Sequence, residues 1–530
     1  MTQAVTTRPP APAQRIRWRE IGALVASLLG LKLLVQLAVA GRYGWFIDEF
    51  YYLACARHLA WGYVDHPPLS IALLRLWTAL FGDGLVAVRV LPALWGAAAL
   101  LLTAALAREF GATRRGVLLA AFAFLANPVF WSLDHFYSMN ALETLLWTAT
   151  IFVFARLLAP DRDPRRESRG LWLLLGALLG LALLNKLGTL WLGAGLAVGL
   201  GVTPERRRLR SPWPWAAAGM AGLLFLPHVL WQVQHGWPTV EFIRCAMQGK
   251  YGGITRAGFA LSVLLEYNPL TFPVWLAGIV LLLRSRPGGA APFRAIGLAW
   301  LVVFLTLVAN GHSRSHYLSG AMPALYAAGG AALESLFRRA RWRWGLPPVL
   351  VLLAGSGLAA LPAVLPVLPP AGSIEYTRAL GISPRSAESA SLEGLPQHLA
   401  DQLGWEELVG AVEAACHRLG PDERARACVF APFYGAAGAI ERLGRGRGLP
   451  PVISPHNAYW HWGPGSCDGS VLIVLDGSRE ELEALFASVE PAGSVPPTFG
   501  APERNGMPVW IARQAQVELP AAWSRLRRFD

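Results

Sequence analysis

Charge is what this sequence has least of. Of its 530 residues only 15% are Asp, Glu, Lys or Arg, while 54% are hydrophobic; a soluble domain carries roughly 25% charged residues. The shortage argues against an ordinary soluble chain. Runs of about 20 apolar residues, the length a helix needs to cross a bilayer, recur from residue 21 to residue 367, so the expected class is a polytopic helical membrane protein. Acids are scarcer than bases, 34 against 47, which leaves a net charge of +13. Nucleic-acid binding does not follow, because the Arg residues gather in short connections between apolar runs, the positive-inside pattern. Cysteines are few: Cys55, Cys245, Cys416, Cys428 and Cys467 have no metal-ligand spacing. A disulfide between two of the last three and free thiols both fit. There is no Gly-rich phosphate loop between a strand and a helix, and no internal repeat.

What is present is a regular alternation of polarity. Arg8, Arg15, Arg17 and Arg19 precede an apolar run ending Ala38-Val39-Ala40. It resembles a signal peptide, but the run exceeds a usual h-region, so a retained first helix is expected, with Lys32 facing the bundle rather than lipid. Spans are expected at about 21–40, 85–107, 117–133, 141–159, 171–184, 188–202, 213–232, 262–283, 295–310, 318–337 and 346–367. This count puts the Arg clusters around residues 108–115, 161–166, 206–210, 284–286 and 338–343 on the cytoplasmic side. The acid, His and Tyr clusters fall on the other. The expected division is a membrane domain over 1–370, with its first external loop at 41–84, and an extracytoplasmic α/β domain over 371–530. In the latter, strand-like runs at Ala427–Tyr434, Val471–Leu475 and Pro508–Ala512 alternate with helical patterns at Trp405–Arg418 and Arg479–Val489.

Polar chemistry concentrates in the first external loop. Trp45-Phe46-Ile47-Asp48-Glu49-Phe50-Tyr51-Tyr52 opens a short helix over 48–60, and Tyr63-Val64-Asp65-His66-Pro67-Pro68 precedes an apolar helix over 68–82 lying along the interface. An Asp at a helix start serves as an N-cap, but that does not explain two adjacent acids beside a bilayer, where ionised groups are costly. A carboxylate facing a partly dry cavity suits base duty. Asp48, Tyr51, Tyr52 and Cys55 are spaced to share one helical face. The prolines after His66 fix the backbone and are expected to hold its ring against the membrane surface, where it suits a phosphate. Lys186, at an outer span end, either snorkels or provides a phosphate counter-charge; Arg89 and Arg314 are similar cations. Asp134, His135 and Asn140 occupy a short outer turn. His235 and Glu241, in a longer outer loop, suit a substrate or a divalent ion. The distal Ser454–Pro464 loop is dense in polar aromatics and suits a sugar or a cap over the cavity.

The ordered set resembles the bacterial glycosyltransferase family 39 proteins, which include relatives of protein O-mannosyltransferase and of the lipid A aminoarabinose transferase. The likeness rests on Asp48-Glu49 with Tyr51-Tyr52, on Gly62 through Leu69, and on Val88-Arg89 with Pro92. It extends to Leu133–Asn140, Asn185-Lys186, His316-Tyr317 through Pro323, Tyr434–Ile440, Gly448–Pro450 and His456-Asn457. The resemblance implies the GT-C fold, a polyprenyl-phosphate-linked sugar donor and Asp48 as base or acceptor-positioning group, with Glu49 beside it as a catalytic candidate. His66, Lys186, Arg89 and Tyr52 are the expected donor phosphate contacts. Asp65, Asp134, His135, His235, Glu241, Arg314, His316 and Tyr317 are further substrate or metal candidates. No organic cofactor is expected, and a divalent cation is left open. The expected partners are the lipid-linked donor, the bilayer and a glycan, lipid or protein acceptor, at the outer face of a bacterial inner membrane. The rival reading is a transporter or flippase of polyprenyl-linked sugars without covalent chemistry. A receptor-like binding protein is a third, and it leaves Asp48-Glu49 unexplained.

Overall fold

The structure, a computed structural model, describes residues 18–159, 168–249, 253–284, 292–338, 344–382 and 394–530. The basic residues expected at Arg8, Arg15 and Arg17, at 161–166, at Arg286 and at 339–343 lie outside the described residues, as do Lys250 and Tyr251.

Helices stand at each of the eleven expected span positions. Five are long and apolar enough to cross a bilayer by length and composition alone: Gly22–Val39 of the first helix, Leu85–Glu109, Met139–Leu158, Trp213–Gln234 and Leu346–Val364. Arg169–Asn185, Thr189–Gly201 and Arg294–Asn310 are shorter apolar helices. Two expected straight spans are broken. The third is interrupted where Asn127 turns its side chain onto the Val129 N–H and Pro128 begins a new turn, Pro128–Leu133. The eighth bends by 88° between Arg256–Glu266 and Pro269–Leu283. There Asn268, at φ +62°, accepts from Leu270 N–H, and Pro269 cannot donate. The freed polar groups are satisfied inside the bundle: Asn127 donates to the Tyr326 hydroxyl, and Asn268 donates to the Ala126 carbonyl and to Ser356.

Small residues let the helices approach closely. A Cβ added at Gly329 would lie 1.9 Å from the Val274 carbonyl oxygen, and one at Gly199 would lie 2.2 Å from that of Ala295. Such seams are how helices associate in lipid, where apolar burial alone drives nothing. Lys32 is wholly buried, pairs with Asp134 at 2.8 Å and lies 4.3 Å from the Trp131 ring centroid, facing the bundle as expected. The segment between the first and second spans contains helices Ile47–Arg57 and Leu69–Phe81.

The distal part carries a five-stranded mixed sheet. Its strands are β1 (Ala427–Phe430), β2 (Val452–Ile453), β3 (Val471–Leu475), β4 (Phe486–Ser494) and β5 (Pro508–Ala515), in the order β2-β1-β3-β5-β4. β1 pairs parallel with β2 and β3, and β5 pairs antiparallel with β3 and β4. The helix expected over Arg479–Val489 stops at Glu483. Phe486 onward instead pairs with β5, so strand pairing overrides the local helical pattern. Helix Tyr434–Leu443 lies directly against Ile47–Arg57: a Cβ at Gly438 would meet Phe50 at 2.8 Å, and one at Gly435 would meet Ile47 at 2.5 Å. Arg442 and Arg445 reach Asp83, and Arg57 reaches Glu441. The sheet domain is therefore bolted onto the segment that joins the first two spans.

Cys428 of β1 and Cys467, ahead of β3, form a disulfide, which leaves Cys416 free and buried. Closing a loop with a sequence separation of 39 restricts the unfolded chain, and such bridges contribute about 2–4 kcal/mol. Cys428→Ser is therefore expected to lower the unfolding free energy of the sheet domain by that order, read as a lower denaturant midpoint. An unchanged midpoint would mean that the bridge adds nothing to stability.

Candidate active site

The two adjacent acids have opposite environments. Glu49 is wholly buried. Its Oε2 accepts from Phe46 N–H at 2.8 Å and from Arg89 Nη2 at 2.9 Å. Its Oε1 accepts from Arg89 Nε at 3.0 Å and from Tyr137 N–H at 2.9 Å. The bond to Phe46 closes the start of the helix, as a capping carboxylate does. Arg89 is equally engaged: besides Glu49 it donates to the carbonyls of Ala40, Arg42 and Gly44, and Nη1 lies 3.4 Å from His135 Nε2. The bidentate fork joins the end of the first span, helix Ile47–Arg57 and the second span at one point.

Asp48 faces the other way. It is partly exposed and accepts from the Tyr434 hydroxyl at 2.9 Å. Tyr51 stacks on Tyr434 with ring centroids 4.5 Å apart, donates to Asp65 at 2.8 Å and accepts from Ala458 N–H at 3.2 Å. Tyr52 lies within electrostatic reach of Asp48 and Asp65 and meets the Met139 backbone; burial, then the Asp48 charge, holds its hydroxyl well above the usual range, so it is protonated at neutral pH. Burial likewise pushes the Cys55 thiol up, which removes it as a nucleophile. The expected shared face of Asp48, Tyr51, Tyr52 and Cys55 is thus a packed wall against the sheet domain and the 63–68 loop.

His66 departs from its expected place. Its ring is fully buried rather than set against the membrane surface, enclosed by Tyr51, Tyr52 and Tyr63 at centroid distances of 5.8, 4.9 and 4.9 Å. Nδ1 lies 3.0 Å from the Pro67 carbonyl, and Nε2, 3.9 Å from Asp65 Oδ1, has no hydrogen-bond partner among the described residues. The prolines do fix the backbone, but the aromatic cage decides where the ring points. Arg89 departs too: with its guanidinium consumed by Glu49 and three carbonyls, it has no donor aimed at an open site.

A second cluster forms from residues far apart in sequence. Lys186 Nζ donates to Asn140 Oδ1 at 2.8 Å and to Glu143 Oε2 at 2.7 Å and lies 4.8 Å from the Tyr317 ring centroid. It retains 13% side-chain exposure. His316 packs on Tyr317 at 4.8 Å. Desolvation, then the Lys186 and Arg314 charges, pushes this imidazole well below its ordinary value and leaves it neutral at pH 7. Lys186, Arg314, His316 and Tyr317 therefore converge, and Tyr52, meeting the Met139 backbone next to Asn140, stands between this cluster and Asp48. Lys186 is held by a carboxylate rather than snorkelling freely.

The remaining candidates separate. Asp134 belongs to the Lys32 pair, and His135 is buried beside Arg89. His235 stacks on Trp231 at 4.1 Å, and Glu241 pairs with Arg527 at 3.1 Å, so these two face different partners. Among the described residues no three His, Cys, Asp or Glu side chains form a group suited to a metal. In the Ser454–Pro464 loop, His456 Nδ1 accepts from Tyr434 N–H at 3.1 Å, and Nε2 lies 2.7 Å from Asp530 Oδ1. Two participants escaped the sequence reading as site residues. Glu143 was visible as a lone acid in an apolar span, a signal for an intramembrane partner. Tyr434 carried only the family likeness of its motif.

A family model described as dolichyl-phosphate-mannose-protein mannosyltransferase matches residues 65–231. The chain is 29% identical over 359 residues to the lipid A galacturonosyltransferase RgtD of Rhizobium johnstonii, covering 66% of this chain and 72% of that one. Its fold matches ArnT from Cupriavidus metallidurans, solved bound to undecaprenyl phosphate, with a TM-score of 0.65 at 16% identity, over 92% of this chain and 98% of that one. It also matches the Archaeoglobus fulgidus oligosaccharyltransferase tethered to an acceptor peptide, with a TM-score of 0.51 at 13% identity, over 82% and 64% of the two chains.

Proposed function

We propose, from the premise that the chain is a family 39-like GT-C membrane glycosyltransferase, that it moves a sugar from a polyprenyl-phosphate-linked donor to an acceptor at the outer face of the cytoplasmic membrane, with Asp48 as base. The observation that carries this reading is the division of labour in the acidic pair. Glu49 is spent on Arg89, whereas Asp48 is partly open and accepts from the neutral Tyr434 hydroxyl. A carboxylate so placed can take the proton of an acceptor hydroxyl or amine. As the acceptor atom bonds to the anomeric carbon, the bond from that carbon to the phosphate oxygen breaks. Its electrons leave with the lipid phosphate, and direct displacement inverts the centre. Lys186, positioned by Asn140 and Glu143, is the cation best placed to meet the growing phosphate charge; Arg314 adds to it, and neutral His316 and Tyr317 line the same place. Glu49 and Arg89 position the loop and touch no substrate. RgtD is named for a sugar transfer to lipid A, and a lipid acceptor is the corresponding class here.

The direct test is transfer of labelled sugar from a polyprenyl-phosphate donor by purified protein. Binding and translocation with no transfer would favour the flippase reading. Lys186→Ala is expected to weaken donor binding about 10-fold or more, the scale of one charge-assisted contact. Unchanged donor affinity would leave Lys186 as a structural partner of Glu143. Placement of the sheet domain outside the cytosol is supported by its Cys428–Cys467 bridge. In intact cells these thiols should resist alkylation until a reductant is added; labelling without one would place the domain inside.

A further inference from the structure

The sheet domain does more than cover the external loop: it reaches the carboxylate on which transfer depends. Tyr434 is the first residue of helix Tyr434–Leu443 and lies at the point where that helix meets Ile47–Arg57. It is 8% exposed, and its hydroxyl is directed at Asp48 Oδ1 at 2.9 Å. Its ring is clamped on both sides. Tyr51 stacks on it at 4.5 Å with an interplanar angle of 27°, and His456 stacks at 5.0 Å and 2°. The His456 ring is fixed in turn. Because Tyr434 N–H donates to Nδ1, the ring proton sits on Nε2, where Asp530 Oδ1 lies 2.7 Å away. A tyrosine gripped by two rings loses little further freedom when its hydroxyl engages a partner, so the contact is preorganised.

Other polar groups near Asp48 are engaged elsewhere. Tyr52, from the same helix, is within electrostatic reach, but its ring packs against His66 and Tyr137. Asp65 receives Tyr51. Glu49 is neutralised by Arg89. Helix Leu69–Phe81, which also packs on this helix, brings one charged side chain, Arg75, which is exposed.

The geometry points to Tyr434 as a positioning residue for transfer: its hydroxyl holds Asp48 in the rotamer that faces the acceptor, and the Asp530–His456 pair holds Tyr434. The inference rests on the reading of Asp48 as base. It makes the sheet domain part of the transfer site and not merely a roof. It also makes seating of that domain on Ile47–Arg57 a condition for turnover.

The test compares purified full-length variants in the labelled-sugar transfer assay at saturating acceptor. Tyr434→Phe keeps both ring stacks and removes only the hydroxyl. It is expected to lower kcat about 10- to 100-fold, the range of a misaligned catalytic group, with donor KM and thermal midpoint unchanged. Asp530→Ala leaves Tyr434 intact and removes the nearer acceptor of His456 Nε2, leaving the Asp530 main-chain oxygen at 3.1 Å; a lower kcat, with a smaller loss than in Tyr434→Phe and the same donor KM, is expected. An unchanged kcat in Tyr434→Phe, or a change confined to donor KM, overturns the inference. Should Tyr434→Phe fold poorly, an unchanged kcat in Asp530→Ala overturns it instead. The two readings fail separately. Full transfer by Asp48→Asn removes the base itself, whereas loss of transfer in Asp48→Asn with normal turnover in Tyr434→Phe removes only the role given to Tyr434.

Discussion

Asp48→Asn should abolish sugar transfer, lowering kcat by about 100- to 10,000-fold, the range general bases contribute, while donor binding stays intact. The substitution is nearly isosteric, and the amide oxygen can still accept from Tyr434, so the 2.9 Å contact to the sheet domain survives. What disappears is the ability to take a proton. The neighbouring acid cannot substitute, because both Glu49 oxygens are filled by Arg89, Phe46 and Tyr137. Lys186, the proposed donor contact, is engaged by Asn140, Glu143 and Tyr317 rather than by Asp48. Donor affinity measured by equilibrium binding is therefore expected to match the unaltered protein within about twofold, a difference of about 0.4 kcal/mol. Retained turnover would show that another group takes the proton. Loss of donor affinity together with turnover would place Asp48 on the donor instead.

How much of this was readable beforehand follows from the range of each interaction. The spans were legible because a helix in lipid must be apolar over a fixed length. Lys32 was legible as inward-facing for the same reason, although its partner Asp134 was not. The breaks at Asn127-Pro128 and Asn268-Pro269 carried a local signal in the Asn-Pro pairs, but hydrophobicity runs straight through them and hides them. The roles of Asp48 and Glu49 were not separable. Adjacent residues on a helix point in directions about 100° apart, and nothing local says which one meets Arg89, 40 residues on, and which meets Tyr434, 386 residues on. His66 was misplaced because the prolines report backbone direction only, while the cage of Tyr51, Tyr52 and Tyr63 sets the ring. Lys186 and Tyr317 converge only through the bundle, so their proximity has no sequence signature. In the sheet domain, β3 was legible as a continuous apolar run, whereas β4 was hidden under a helical pattern that its pairing with β5 overrides.

Arg89→Ala is expected to prevent folding of the segment around helix Ile47–Arg57 rather than to impair binding. The wild-type guanidinium donates to Glu49 and to the carbonyls of Ala40, Arg42 and Gly44 with no exposure on either side chain of the pair. Its removal strands the Glu49 carboxylate in a dry site, and breaking one side of a buried pair costs about 3–5 kcal/mol. Arg89→Lys should not restore it: a point charge with three donors cannot match a planar fork that serves one carboxylate and three carbonyls at once. The sharper comparison is the double variant Arg89→Met with Glu49→Gln. Without the stranded charge, it should unfold closer to wild type than Arg89→Met alone, giving a coupling energy of about 2 kcal/mol or more in the cycle. The measurement is the thermal midpoint and the monodispersity of detergent-purified protein. If Arg89→Ala is well folded and only loses donor affinity, the fork is a phosphate site after all, and the assignment of Glu49 and Arg89 to holding the loop is wrong. If it is lost from the folded fraction while Lys186→Ala with Glu143→Gln, which strands no carboxylate, folds normally and binds donor weakly, the two cations have the separate duties that their burial implies: one builds the loop that presents Asp48, and the other meets the charge that leaves.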